Sequence, residues 1–126
     1  MFRTVATPMV VMLCLTTIPA RAHHGAAAYD LTATTTLDAT IVAFKWINPH
    51  ALIEFEALDG TGVIRRWTAE TAGLTILLRA GWSATTLQPG MTVRIAGHPA
   101  RNDTASMLLE RVIFSDERTL TNFVPR

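Results

Sequence analysis

The sequence predicts a mainly β protein, a small five-stranded OB-like barrel with one short helix between strands three and four. Five segments rich in β-branched or alternating apolar residues are separated by turns that contain glycine or proline. One stretch of leucines at helical spacing follows the third segment. Three strands, a helix and two further strands is the element order of the OB-fold, a partly open barrel. Another small α+β roll is the alternative that the same order allows.

The N-terminal residues 1–22 are predicted to be a cleaved signal peptide. Arg3 makes the start basic, and residues 5–20 are apolar and uncharged. Ala20 and Ala22 occupy the two positions that a signal peptidase reads. The alternative is a membrane anchor, but the apolar run is shorter than the roughly 20 residues of a spanning helix. We therefore expect an exported protein, periplasmic or secreted, with no membrane span after cleavage.

Composition excludes several classes of site from the chain that remains after cleavage. Cys14 lies within the signal segment, so disulfides, thiolate metal sites and cysteine nucleophiles are excluded together. Arg3 and Arg21 are also removed, which leaves nine of the 11 basic residues against ten acidic ones. Because nucleic-acid binding needs a basic patch, this balance predicts no nucleic-acid partner.

The first three strands are predicted at residues 37–47, 51–58 and 63–69. The first has apolar residues on both alternating faces, which is typical of a long bent strand that joins two parts of a barrel. Asn48-Pro49 ends this strand, because proline has no N–H to donate to a sheet. The second strand alternates cleanly, and a glycine-containing hairpin turn connects it to the third.

The period then changes to that of a helix of two to three turns. Thr71 is a suitable N-cap, and Leu74, Leu77 and Leu78 follow at helical spacing. Gly81 suits the C′ position that ends a helix. The three leucines are expected to cap one end of the barrel.

The remaining segments complete the predicted domain. Strand four is predicted from residue 91 to 95, a loop over 97–103, and strand five from 106 to 114. Residues 23–36 are small and polar, and they are predicted to be a flexible N-terminal arm that becomes ordered on contact. The barrel domain then covers residues 37–126.

Several motifs along the chain together resemble those of one protein family. They are His23-His24, Tyr29-Asp30, Trp46 to His50, Trp67 with Glu70, Arg79 to Trp82, Leu87 to Gly90, and Gly97 to Pro99. This set resembles the exported bacterial proteins classed as domain of unknown function 6152. The chain departs from that pattern at Gly25-Ala26, where Ser-Phe is usual, and at Met91, where Asp is usual. The resemblance implies export and a small β-barrel, and it implies no activity because the family is assigned none.

The four histidines, His23, His24, His50 and His98, are the candidate metal ligands. In an OB-like barrel His50 falls in the loop between strands one and two, and His98 in the loop between strands four and five. Those two loops flank the binding face of OB-folds. Imidazole suits copper, and a free N-terminal His adds its amine as a ligand. The alternative is that His50 and His98 are turn residues whose rings bond nearby carbonyl groups.

Aromatic residues on neighbouring strands form a second candidate site. Trp46 and Trp67, with Arg65 nearby and Asn48 in the adjacent corner, would provide a stacking surface for a peptide or another partner. The alternative is that both tryptophans pack in the core and at its rim.

No catalytic motif is present in the sequence. Glu54 and Glu56 are explained by a solvated strand face, and Ser83, Ser106 and Ser115 lack the motif of a nucleophilic elbow. We therefore expect a non-enzymatic binding or accessory module, with copper as its candidate cofactor. Its partner is expected to be a small ligand, a metal ion or an envelope protein. The alternative function is a protein- or peptide-interaction module that uses the open barrel face around Trp46 and Trp67.

Overall fold

The computed structural model describes residues 25–123, which contain six β-strands and one α-helix; five of the strands form a barrel. The predicted signal peptide and two of the candidate ligands, His23 and His24, lie outside the described residues. No helix within residues 25–123 is long and apolar enough to cross a membrane.

The elements of the described residues follow the predicted order. They are β1 Thr35–Lys45, β2 Leu52–Leu58, β3 Ile64–Glu70, α1 Leu74–Arg79, β4 Thr92–Pro99, β5 Ser106–Ile113 and β6 Thr119–Thr121, with a short 3-10 helix at Ala26–Ala28. The sequence did not predict β6, which pairs with β5 near the C-terminal end of the described chain.

The strands close into a five-stranded barrel, as predicted. The first strand β1 pairs antiparallel with both β2 and β4, while β2 pairs with β3 and β4 pairs with β5. A parallel pairing between β3 and β5 closes the ring. With α1 between β3 and β4, this is the OB-like arrangement.

The long strand β1 bends to serve two neighbours. Its first half, from Thr35 to Thr40, pairs with β4, and its second half, from Thr40 to Lys45, pairs with β2. The register shifts between Ile41 and Ala43, where a bulge bends the strand. This change of partner explains why apolar residues occupy both faces of β1.

The core fills the barrel with aliphatic and aromatic side chains from every strand. Ile53, Phe55, Ile95 and Leu109 are fully buried there. From α1 only Leu77 is fully buried, whereas Leu78 is 59% exposed. Leu74 is partly buried and packs against the core, so the prediction that the leucines cap the barrel is confirmed for Leu77, confirmed in part for Leu74 and wrong for Leu78. The reason is that a six-residue helix presents only one narrow face to the core.

The ends of α1 agree with the predicted C-terminus and not with the predicted N-cap. The N-cap is Gly73 and not Thr71. The Thr71 hydroxyl does not cap the helix; it lies within hydrogen-bond distance of two carbonyl oxygens, those of Ala51 and Ala72, at 3.0 and 2.8 Å. At the other end Gly81 has φ +92°, as expected of a C′ glycine. The next amide, of Trp82, donates to the Leu77 carbonyl at 3.0 Å, which completes a Schellman motif.

The fourth strand is longer than predicted, and this corrects the position of His98. Residues Gly97–Pro99 were predicted to begin a loop, yet they belong to β4 and pair with β5. The strands approach closely here, since a Cβ on Gly97 would meet the Leu108 backbone oxygen at 2.6 Å. Gly97 was predicted to begin a loop, but the absence of a side chain at this position is what allows β4 and β5 to pair so closely. His98 lies in a strand rather than in the β4–β5 loop.

The described part of the arm lies along the end of β4. Tyr29 forms an isolated bridge with Ala100 and is buried. The Asp30 amide donates to the Pro99 carbonyl at 2.9 Å, and the Arg101 amide donates to the Ala28 carbonyl at 3.0 Å. These contacts bring Gly25, where the described chain begins, to the same end of the barrel as the β1–β2 corner.

Candidate functional site

Barrel closure places four residues in one row across four strands. Leu52 pairs with Glu70, Glu70 with Leu108, and Leu108 with His98. Directly paired residues share a face of the sheet. This is the outer face, because their neighbours Ile53, Ala69 and Met107 point into the core. The β1–β2 corner, the end of β3 and the end of β4 therefore border one end of the barrel.

His50 is oriented by the backbone at this corner. Its Nδ1 lies 2.9 Å from the Thr71 carbonyl oxygen. Because a carbonyl oxygen only accepts, Nδ1 is assigned as a nitrogen that carries a proton. The other ring nitrogen, Nε2, faces Glu70 Oε1 at 3.7 Å, and in the neutral form of the ring it holds the lone pair. The His50 side chain as a whole is half-exposed.

Glu70 is held by a residue of the arm. The Tyr29 hydroxyl donates to Glu70 Oε2 at 2.8 Å, which leaves Oε1 directed towards His50. Burial, followed by the hydrogen bond to Glu70 and the negative charge of Glu70, raises the pKa of Tyr29 to about 12. The phenol therefore stays protonated and remains a donor at neutral pH.

These three side chains line a cavity of about 250 Å³ at the end of the barrel. Most of its wall is apolar, and the polar groups converge at one edge. The apolar part includes Ala72, Ile76, Leu108 and Phe123, and Gly25 and Ala26 complete the wall. A largely apolar cavity with a few convergent polar groups is typical of a ligand site.

Asn122 fixes the floor of the cavity, and the sequence analysis missed it. It is fully buried; its Oδ1 accepts from the Ala72 amide at 2.7 Å and its Nδ2 donates to the Leu109 carbonyl at 2.9 Å. These bonds join the segment after β6 to the turn that follows Glu70. The only signal in the sequence was a polar residue between Leu120 and Phe123, which carries no periodicity.

The structure separates His98 from His50, the other candidate metal ligand among the described residues. Leu108 stands between Glu70 and His98 in the row of paired residues, and His98 does not line the cavity. His98 Nδ1 lies 2.8 Å from the Ala33 carbonyl oxygen, so this hydrogen bond engages Nδ1 and not Nε2, as in His50. Among residues 25–123 no group of three His, Cys, Asp or Glu side chains is arranged to hold a metal ion.

The predicted aromatic surface is mostly packed. Trp46 is half-buried, with its ring centroid 5.5 Å from that of Phe44. Trp67 pairs with Phe55 on the inner side of the sheet, and the two rings stack at 6.3 Å. Its indole Nε1 is buried without a hydrogen-bond partner among the described residues. Arg65 and Asn48 are exposed, and neither lines the cavity beside His50.

Comparison with protein families gives one result. A family model described as a family of unknown function, DUF6152, matches residues 11–109. The chain belongs to this family. The resemblance noted in the sequence is therefore confirmed. Tyr29, His50 and Glu70, three of the polar residues that line the cavity, lie within the matched range. The comparisons with curated proteins and with solved structures found no match.

Proposed function

We propose that this DUF6152 protein is an exported, non-enzymatic accessory module that binds a transition-metal ion, copper in the first place, at His50. The observation that carries the proposal is the orientation of the His50 ring. Its Nδ1–H is taken by the Thr71 carbonyl, and its Nε2 faces a carboxylate at the edge of the cavity.

This arrangement has a physical meaning for metal binding. A histidine that binds a metal through one nitrogen usually donates its other N–H to a backbone carbonyl or a carboxylate. That bond selects the tautomer and fixes the ring, so no rotational freedom is lost when the ion binds. Neutral imidazole is a ligand suited to copper, zinc and nickel.

The remaining ligands are expected from the predicted N-terminus. His24 and His23 directly precede Gly25, which lines the cavity. In the sequence, one and two peptide bonds separate His24 and His23 from Gly25. Cleavage before His23 would add a free amine, which loses its proton near pH 7.7–8.0. His98 stays the fourth candidate, because its Nε2 is also free of the bond to Ala33.

Copper(II) titration of the processed protein, with a chelator of known affinity as competitor, tests the proposal. His50→Ala should lower the affinity at least tenfold, and His98→Ala measures whether the fourth candidate contributes. Ile47→Ala changes an exposed side chain of the same corner and should leave the affinity unchanged. Wild-type affinity in a folded His50→Ala variant would overturn the proposal.

The second candidate function is a protein-interaction module, and one observation favours it. Leu58, Val63 and Ile64, at the end of the β2–β3 hairpin, are each more than half exposed. This surface differs from the one predicted around Trp46 and Trp67. A Leu58→Ser/Ile64→Ser variant should reduce cross-linking to an envelope partner and leave copper affinity unchanged. The two candidate functions therefore respond to different variants.

A further inference from the structure

We propose that Glu70 is a ligand of the metal site and that Tyr29 is the positioning residue that presents it. This inference rests on the proposed function and adds to it two residues that the histidine pattern does not contain. It makes the site a mixed one, with imidazole on one side and a carboxylate oxygen on the other.

The separation of the two ligating atoms fits a shared ion. Ligand distances of about 2.0–2.1 Å for nitrogen and 2.0–2.2 Å for oxygen place the two atoms about 2.9 Å apart in adjacent positions of a square-planar copper(II) ion, and about 3.4 Å apart at a tetrahedral angle. The same distances place them about 4.1 Å apart when they lie on opposite sides of the ion. The observed separation of 3.7 Å between His50 Nε2 and Glu70 Oε1 lies between these limits.

A direct hydrogen bond explains the same separation less well. An N–H···O bond between these atoms would bring them to 2.7–3.2 Å, and 3.7 Å is outside that range. With Nδ1–H donated to Thr71, the neutral form of His50 and the carboxylate of Glu70 both present lone pairs to the space between Nε2 and Oε1. Such a space favours a cation.

Tyr29 determines where the carboxylate points. Its hydroxyl holds Oε2 at 2.8 Å, so the carboxylate cannot turn away from His50 without losing that bond. Tyr29 lies four positions after Gly25, and its bridge to Ala100 anchors the arm. Tyr29 therefore aligns the carboxylate and holds the described start of the arm at the same end of the barrel.

Three variants of the processed protein test the inference by chelator competition with copper(II) and by the electron paramagnetic resonance spectrum of the bound ion. Glu70→Gln should lower the affinity more than tenfold and change the spectrum, because a charged oxygen ligand is lost. Tyr29→Phe keeps the buried ring and should lower the affinity about ten- to a hundredfold, as loss of an outer partner does, with the spectrum unchanged. Glu56→Gln, on the outer face of β2 beside Arg66, is the matched control and should change neither.

The outcomes separate the inference from the function on which it rests. Wild-type affinity and spectrum in Glu70→Gln, together with a loss in His50→Ala, would overturn the inference and leave the proposed function standing. Wild-type affinity in both would overturn the proposed function as well. Circular dichroism melting of each variant shows that it is folded; wild-type affinity in folded Tyr29→Phe would remove Tyr29 from the site.

Discussion

Replacement of Leu77 by alanine should destabilise the barrel by about 3 kcal/mol. Leu77 is fully buried in the core cluster and is the fully buried side chain of α1. The change removes three carbon atoms, worth about 2.4 kcal/mol at roughly 0.8 kcal/mol each. Incomplete collapse around the space they leave adds to this, and Leu→Ala substitutions at buried sites cost about 2–5 kcal/mol in total.

The neighbouring leucine provides the control. Leu78 is 59% exposed on the same helix, so Leu78→Ala should change the free energy of unfolding by no more than about 0.5 kcal/mol. Both variants have the same change in helix propensity, so the difference between them isolates burial. Urea unfolding followed by circular dichroism measures both free energies. Equal losses in the two variants would refute the assignment of Leu77 as the side chain that closes the barrel end.

Three further predictions concern processing, protonation and packing. Mass spectrometry of the protein exported by a bacterial host should give an N-terminus at His23, and an intact initiator methionine would contradict the signal peptide. Tyr29 is the one tyrosine of the chain, so absorbance at 295 nm in metal-free protein should titrate near pH 12. Since its folded pKa is raised from 10.0, the stability that it contributes is complete below pH 10 and is lost as the pH rises towards 12. Glu70→Gln should lower this pKa but leave it above 10, because burial is the larger cause; a midpoint at 10 would contradict that. Gly97→Ala should cost about 1–3 kcal/mol or more from overpacking, whereas Gly60→Ala, with open space around it, should not; equal thermal stability would contradict the close approach of β4 and β5.

Local patterns were sufficient to predict most of the fold. The alternation of Ile53, Phe55 and Ala57 identified the inner face of β2, and the apolar residues on both faces of β1 predicted its bend. Glycine chemistry predicted the end of α1 at Gly81. Each of these signals depends on residues within one element, which is why the sequence alone carries it.

Errors arose where a contact with a distant strand overrides the local signal. His98 lies between a glycine and a proline, which locally indicate a turn, but pairing with β5 continues the strand through them. Proline is tolerated at this position because Pro99 is the last residue of β4. Trp67 follows two arginines, and the sequence left open whether it forms a stacking surface or packs; its alternation with Ala69 places it on the inner side of the sheet. In both cases strand register decides the outcome.

The candidate site depends on the pairing register of the strands, because its residues come from different elements. Tyr29 and Glu70 are 41 positions apart, and Thr71 and His50 are 21 apart. A shift of one residue in the pairing of β3 would turn Glu70 into the core and break both its contact with Tyr29 and its approach to His50. The histidine at the corner was predictable because it lies beside a turn signal, whereas its carboxylate partner was not. The His50–Glu70 pair forms with the β2–β3 pairing, which sets Leu52 opposite Glu70. Tyr29, bridged to Ala100 after β4, reaches Glu70 only when β3 pairs with β5, so the complete site requires closure of the barrel.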